Sequence, residues 1–389
     1  MTDIKSKDKL YIANTYSRLP VEIARGKGSL VYDTDGRRYI DLGSGIAVNT
    51  FGVCDEEWIK AVTEQLNAVQ HTSNLFYSEP CATLAEILCK RTGMKKVFFA
   101  NSGAEANECA IKAARKYGEE KKGKDCYTIV TLYNSFHGRT LATLAATGQD
   151  VFHERFRPFP SGFVYADAND IESVKKLCSE NKVCAVMFEP VQGEGGVMPL
   201  DVYFVKELYA YCKEKDILLI ADEVQTGNGR CGKLYDYMNY GIAPDIVTTA
   251  KGLGGGLPIG ACIMGEKCAD TLTYGDHGST FGGNPAAAAG ALSIINRIDE
   301  KLLKGVIEKS EYIFGELSSA DGIVSVSGRG LMIGIKTEKP VKDVQSECIK
   351  RGVLCLTAKD KLRLLPALNI PFGLLKEAVS VIKRVCAEL

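Results

Sequence analysis

The chain has 389 residues, 46% of them hydrophobic, which is enough for two or three domains with real cores. Lysine plus arginine and aspartate plus glutamate each total 48, and no long run of one sign suggests a nucleic-acid or membrane surface. Residues 1–14 lack the apolar stretch of a signal peptide and no segment reaches the ~18 apolar residues of a membrane span, so a cytoplasmic protein is expected. The 14 cysteines are scattered without a CxxC pair, which favours reduced, mostly buried thiols over disulfides or a metal site.

In chain order, strand-like residues 29–32 and 38–41 flank a turn at 33–36; residues 1–45 are too few to fold alone and are expected to pack on the carboxyl-terminal domain. Strand-like runs then alternate with helix-like stretches at residues 96–100, 127–132, 183–188, 217–221 and 245–249, which predicts an α/β domain over 46–285 with a mostly parallel sheet flanked by helices. Each run ends in a polar or glycine-containing segment. Ligands of such sheets bind beyond the carboxyl ends of strands, so these segments are expected to meet at one pocket. After Asn284-Pro285 the texture changes to helices at 286–298 and 301–317 and strands near 324–335 and 362–366, a smaller α+β domain over 286–389.

Three segments carry chemistry. Residues 97–100 run into Asn101-Ser102-Gly103-Ala104-Glu105, where a helix start with small residues can seat a phosphate, or Ser102 is an ordinary cap. The apolar run 218–221 ends in Asp222, a carboxylate that a protonated ring nitrogen or a structural cation could face. Lys251 follows 246–250 and precedes Gly252, Gly254, Gly255 and Gly256; partly desolvated, it could form an imine with an aldehyde, whereas most lysines are solvated charges. Together the three match the parts of pyridoxal phosphate. Two other motifs fail on inspection: residues 227–233 have Walker A spacing, but Leu234 stands where Ser or Thr must reach Mg²⁺, and the glycines at 328, 330 and 334 are one residue too widely spaced for a dinucleotide fingerprint.

Taken together, Asn101-Ser102-Gly103-Ala104-Glu105-Ala106-Asn107, Phe136-His137-Gly138-Arg139-Thr140, Glu189-Pro190-Val191-Gln192-Gly193-Glu194, Asp222-Glu223-Val224-Gln225-Thr226-Gly227, Lys251 and Gly278-Ser279-Thr280-Phe281-Gly282-Gly283-Asn284-Pro285 resemble the class III aminotransferases of fold-type-I pyridoxal-phosphate enzymes, over nearly the whole chain. The resemblance implies that Lys251 holds the cofactor as a Schiff base and moves the substrate proton, and that Asp222 keeps the pyridine nitrogen protonated. It implies that Val224 and Phe136 sandwich the ring, that Gln225 reaches the phenolic oxygen, and that Ser102, Gly103 and Ala104 seat the phosphate. Thr280 would complete that seat from the second subunit of a homodimer, with Ser279 beside it at the substrate. Arg139 and Arg363 would bind carboxylates, and Glu194 would pair with Arg363 when no carboxylate is there.

Within the family, Tyr16-Ser17-Arg18-Leu19-Pro20, Gly45-Ile46-Ala47-Val48-Asn49 and His71-Thr72-Ser73-Asn74-Leu75-Phe76-Tyr77 resemble the acetylornithine aminotransferases of arginine synthesis. Ornithine aminotransferases usually place a tyrosine near Gly45-Ile46 and a tryptophan at the position of His137, and neither is present. The sequence departs from the family's usual His-x-His-Pro after Gly52, with Val53-Cys54-Asp55-Glu56 instead. The implied reaction takes N2-acetylornithine and 2-oxoglutarate to N-acetylglutamate 5-semialdehyde and glutamate. Succinylornithine, ornithine, 4-aminobutyrate and N-succinyl-diaminopimelate are the neighbouring donors. A racemase or decarboxylase on the same fold and a catalytically silent binding protein are the readings from other classes, and the paired charges Glu194 and Arg363 weigh against the silent one.

Overall fold

The computed structural model describes residues 3–389; Met1 and Thr2, part of the amino-terminal segment expected on the smaller domain, lie outside the described residues. The β-branched runs form a seven-stranded sheet in the order Lys96–Ala100, Gly260–Met264, Ile246–Thr249, Leu218–Asp222, Val183–Phe188, Thr128–Leu132, Phe163–Ala166. Gly260–Met264 is antiparallel to both neighbours and the other pairings are parallel. The carboxyl ends of the five strands expected from the sequence therefore open on one edge of the sheet. That edge is where α/β sheets take their ligands.

Side chains alternate across the sheet, and both faces are buried. Val186, Phe188, Leu219 and Ala221 join one core with Leu84, Leu88, Phe204 and Leu208, while Ala185, Met187, Leu218 and Ile220 join another with Ala110, Ala113, Ala114 and Tyr117. The alanines let the helix Gly103–Lys122 lie close on its face. Burial on both sides explains why 183–188 reads as an unbroken apolar run rather than an alternating one. The helix Pro285–Ile295 also packs in the first of these cores, through Ala287, Ala288, Ala291 and Ile294.

A second core lies between the helices Glu300–Leu317, Val341–Lys350 and Phe372–Glu388 and an antiparallel sheet of Ile323–Arg329, Met332–Thr337, Lys361–Leu364 and Leu356–Ala358. Of the amino-terminal strands Ile23–Lys27, Leu30–Asp33 and Arg38–Asp41, the last pairs in parallel with Val353–Leu354, and Ile40 and Leu42 enter the second core. The helix Ile4–Tyr11 ahead of them buries none of its residues. The Walker-like segment ties the cores together. Its buried Arg230 donates through Nη1 to the carbonyls of Leu331, at 3.1 Å, and Pro366, at 2.5 Å, and nearby Asp236 accepts from Arg329 at 3.1 Å. No described helix is long and apolar enough to cross a membrane.

Candidate active site

At the strand-end edge lies a cavity of about 550 Å³ bounded by Ser102, Phe136, Asp222, Val224, Gln225 and Lys251, with Gly103, Ala104 and Arg139 also on its wall. Ser102 is the N-cap of the helix Gly103–Lys122, its hydroxyl accepting from the Glu105 amide at 3.2 Å. The first-turn amides of Gly103 and Ala104 have no intrahelical acceptor, and the helix dipole adds positive potential there. A side chain at position 103 would not fit, because its Cβ would sit 2.6 Å from Val224 Cγ1. The start of this helix thus packs directly against a wall of the cavity.

Asp222 closes the strand Leu218–Asp222 in full burial and accepts three hydrogen bonds: from Asn107 Nδ2 and His137 Nδ1 at Oδ2, both at 2.8 Å, and from the Val224 amide at Oδ1, at 3.0 Å. These donors supply what a buried carboxylate needs. Lys251 follows Ile246–Thr249 with a φ of 45°, an uncommon backbone for a residue with a side chain. Its turn is pinned at three carbonyls: Asn228 donates to Ala250 O at 3.1 Å, Thr50 to Gly252 O at 2.7 Å, and Trp58 to Gly254 O at 2.9 Å. Among the described residues the Lys251 amine has no hydrogen-bond or ion-pair partner. Burial lowers its pKa, with Glu194 opposing and Arg363 adding to the effect. A neutral amine, the form that attacks an aldehyde and accepts a proton, is thereby favoured.

Arg363, buried on the strand Lys361–Leu364, donates from Nη1 to Glu194 at 2.5 Å and to Gln225 Oε1 at 3.3 Å. Arg139 is exposed, stacks over Phe152 at 4.2 Å and Phe136 at 5.4 Å, and has no ion pair among the described residues. The Gln225 amide nitrogen is likewise left without an acceptor and can donate into the cavity. Ser279 and Thr280 are not on this cavity's wall. They line separate clefts with His277 and Phe98, where Ser279 Oγ accepts from Asn101 Nδ2 at 3.2 Å and Thr280 is exposed. The site also contains residues to which sequence reasoning gave no role. His137 and Asn107 hold Asp222, and Glu189 lies on the cavity wall; the last could have been found as a carboxylate ending the apolar strand Val183–Phe188, the same signal that marks Asp222.

The family model for aminotransferase class-III matches residues 11–386. An acetylornithine aminotransferase of Haemophilus ducreyi is 49% identical over 99% of both chains. The crystal structure of N-acetylornithine aminotransferase from Stenotrophomonas maltophilia superposes with a TM-score of 0.84 at 36% identity, covering 96% of this chain and 97% of that one. An ornithine aminotransferase of Toxoplasma gondii, with pyridoxal phosphate at partial occupancy in its active site, superposes with a TM-score of 0.93 at 29% identity, covering 98% and 93%.

Pyridoxal phosphate is the cofactor, and the residues present fit it. The amides after Ser102 suit its phosphate, the free lone pair of Asp222 its ring nitrogen, the walls Val224 and Phe136 its ring faces, and the partnerless Lys251 amine its aldehyde. Bound there, the group supplies an electron sink for the carbanion formed at the substrate carbon. The chain belongs to the class III aminotransferases, the pyridoxal-phosphate-dependent family that moves amino groups between small molecules.

Proposed function

We infer that the chain transfers the side-chain amine of N2-acetylornithine to 2-oxoglutarate, giving N-acetylglutamate 5-semialdehyde and glutamate, in the cytoplasmic synthesis of arginine. The observation that carries this reading is the contrast between two arginines: Arg363 is neutralised by Glu194 at 2.5 Å, while Arg139, at the rim of the cavity, has no ion pair among the described residues. A donor that enters by its terminal amine needs one carboxylate seat, which Arg139 offers, and no bare cation beside the amine, which Glu194 provides. Glutamate, entering by its α-amine, brings a second carboxylate for the planar fork of Arg363 once Glu194 turns away. Lys251 takes the proton from the carbon bearing the amine. The 49% identity to an enzyme named for acetylornithine supports the donor.

The ornithine aminotransferase likeness in fold supports a second donor. It lacks its residues here, since no tyrosine stands near Gly45-Ile46 and His137, bonded to Asp222, occupies the tryptophan position. A donor panel of acetylornithine, succinylornithine, ornithine, 4-aminobutyrate and N-succinyl-diaminopimelate, scored by glutamate formed from 2-oxoglutarate, tests the assignment. Acetylornithine is expected to lead in kcat/KM. If ornithine leads, the donor is wrong and the aminotransferase class stands.

The same reading makes the enzyme a homodimer in which Thr280 completes the partner's phosphate seat. Exposed Leu75, Phe76 and Tyr77 support it, because Asn74 beside them donates to the carbonyls of Ser279 and Gly282, at 3.0 and 2.9 Å, and so joins an apolar surface to the Thr280 loop.

A further inference from the structure

Glu189 is buried on the cavity wall, yet none of the roles above uses it. Its two carboxyl oxygens accept from backbone amides of different loops: Phe136 donates to Oε1 at 2.8 Å and Gly193 to Oε2 at 3.2 Å. The first loop continues to Arg139, whose guanidinium stacks on the Phe136 ring. The second continues directly into Glu194, which holds Arg363. One carboxylate therefore spans the loop of the open carboxylate seat and the loop of the carboxylate that masks Arg363. A second bond between the same loops, Gln192 Nε2 to the Tyr133 carbonyl at 2.8 Å, supports the span from outside the cavity wall.

We propose that Glu189 is a positioning residue that clamps these two loops, fixes the spacing between Arg139 and Glu194, and thereby selects donors whose carboxylate lies at that distance from the reacting amine. The proposal rests on the acetylornithine reading, because it is that donor which needs Arg139 and Glu194 at once. Glutamate, bound by Arg363 with Glu194 displaced, depends less on the spacing.

Only a carboxylate can accept at both ends of this span. A glutamine of the same shape accepts one amide and turns its own NH₂ toward the other, leaving that buried donor unsatisfied. The charged and titratable groups facing Glu189 are His137 after Thr128–Leu132, Asp222 at the end of its strand and Lys251 beyond the next. Burial raises the Glu189 pKa to about 7, opposed by His137 and reinforced by Asp222. The clamp is thus complete above that pH, and below it a proton occupies one of the two accepting oxygens.

The test is single-turnover kinetics of each half-reaction in the Glu189→Gln holoenzyme. The concentration of acetylornithine giving half-maximal rate is expected to rise about tenfold, while that of glutamate and both limiting rates change by less than about threefold. The visible spectrum of the bound cofactor is expected to stay as in the wild type. Equal rises for the two substrates, or no rise for acetylornithine, overturn the clamp. Should the variant not fold or not hold cofactor, the wild type decides: between pH 8 and 6 the half-saturating acetylornithine concentration is expected to increase more than that of glutamate, and parallel profiles overturn the clamp. Failure of the donor reading looks different, since the wild type itself would then favour another amine in the donor panel.

Discussion

Lys251 stands out at the residue scale because its amine has no hydrogen-bond or ion-pair partner among the described residues, burial lowers its pKa, and it sits on a backbone that glycine would adopt more easily. Replacing it with Ala is expected to abolish turnover and the visible absorbance of bound cofactor; yellow colour that borohydride fixes to another lysine would contradict that. Asp222→Ala is expected to leave some cofactor bound and to slow proton transfer by about two orders of magnitude or more, because a ring nitrogen without its carboxylate is a poorer electron sink. Stopped-flow measurement of the glutamate half-reaction checks it, a near-normal rate being the refuting result. For the Glu194–Arg363 pair, Glu194→Gln should impair the acetylornithine half-reaction more than the glutamate one, and Arg363→Lys should do the reverse, since lysine lacks the planar fork. Equal losses in both half-reactions would leave a structural pair only.

Among the elements, the strands that stand out most in the sequence, Thr128–Leu132, Val183–Phe188, Leu218–Asp222 and Ile246–Thr249, are buried along their whole length, so their apolar runs show whatever their register. Phe163–Ala166 and Gly260–Met264 were not legible. The former is a four-residue edge strand, and the latter begins at a glycine in a stretch that also reads as loop. That glycine is explained by contact across the fold: a Cβ at Gly260 would lie 2.2 Å from the Ser102 carbonyl, so the strand end and the helix cap can approach only without it. The segment 227–233 was dismissed as a nucleotide loop on Leu234, but its role as a tie depends on carbonyls more than 100 residues away. Arg230→Ala is expected to destabilise the chain by ~1–3 kcal/mol for each carbonyl left unsatisfied, and to raise KM for glutamate because Pro366 follows the strand of Arg363. Denaturant unfolding and steady-state kinetics measure the two effects; an unchanged unfolding midpoint would remove the tie.

For the whole molecule, two expectations concern stability and assembly. Glu223 is fully buried, and burial with the neighbouring Asp236 raises its pKa to about 8 from an ordinary carboxyl value. A carboxyl whose folded pKa is raised stabilises the fold below its unfolded pKa, and that contribution is lost as pH rises through the folded value. Thermal unfolding midpoints are therefore expected to fall as pH rises from the ordinary carboxyl value towards about 8 and to level off above it, and Glu223→Gln to shrink the fall; an identical slope in the variant would assign it elsewhere. In the proposed homodimer, Thr280→Ala and Lys251→Ala subunits mixed and refolded together should recover activity that neither variant has alone, because one of the two mixed sites then holds both wild-type groups. No recovery would place Thr280 at the site of its own chain.

The sequence alone determined the strand-to-loop junctions that carry the chemistry, because a parallel sheet sends every strand end to one edge and the residues just beyond it are fixed by chain order. It could not determine which of those residues bond to one another. Asn107 and His137 on Asp222, Glu189 between two loops, and Glu194 on Arg363 are pairings across 4 to 169 positions of chain, made by tertiary packing. Residue types at a strand end name the available chemistry, whereas hydrogen-bond distances exist only once helices and sheets have closed around them.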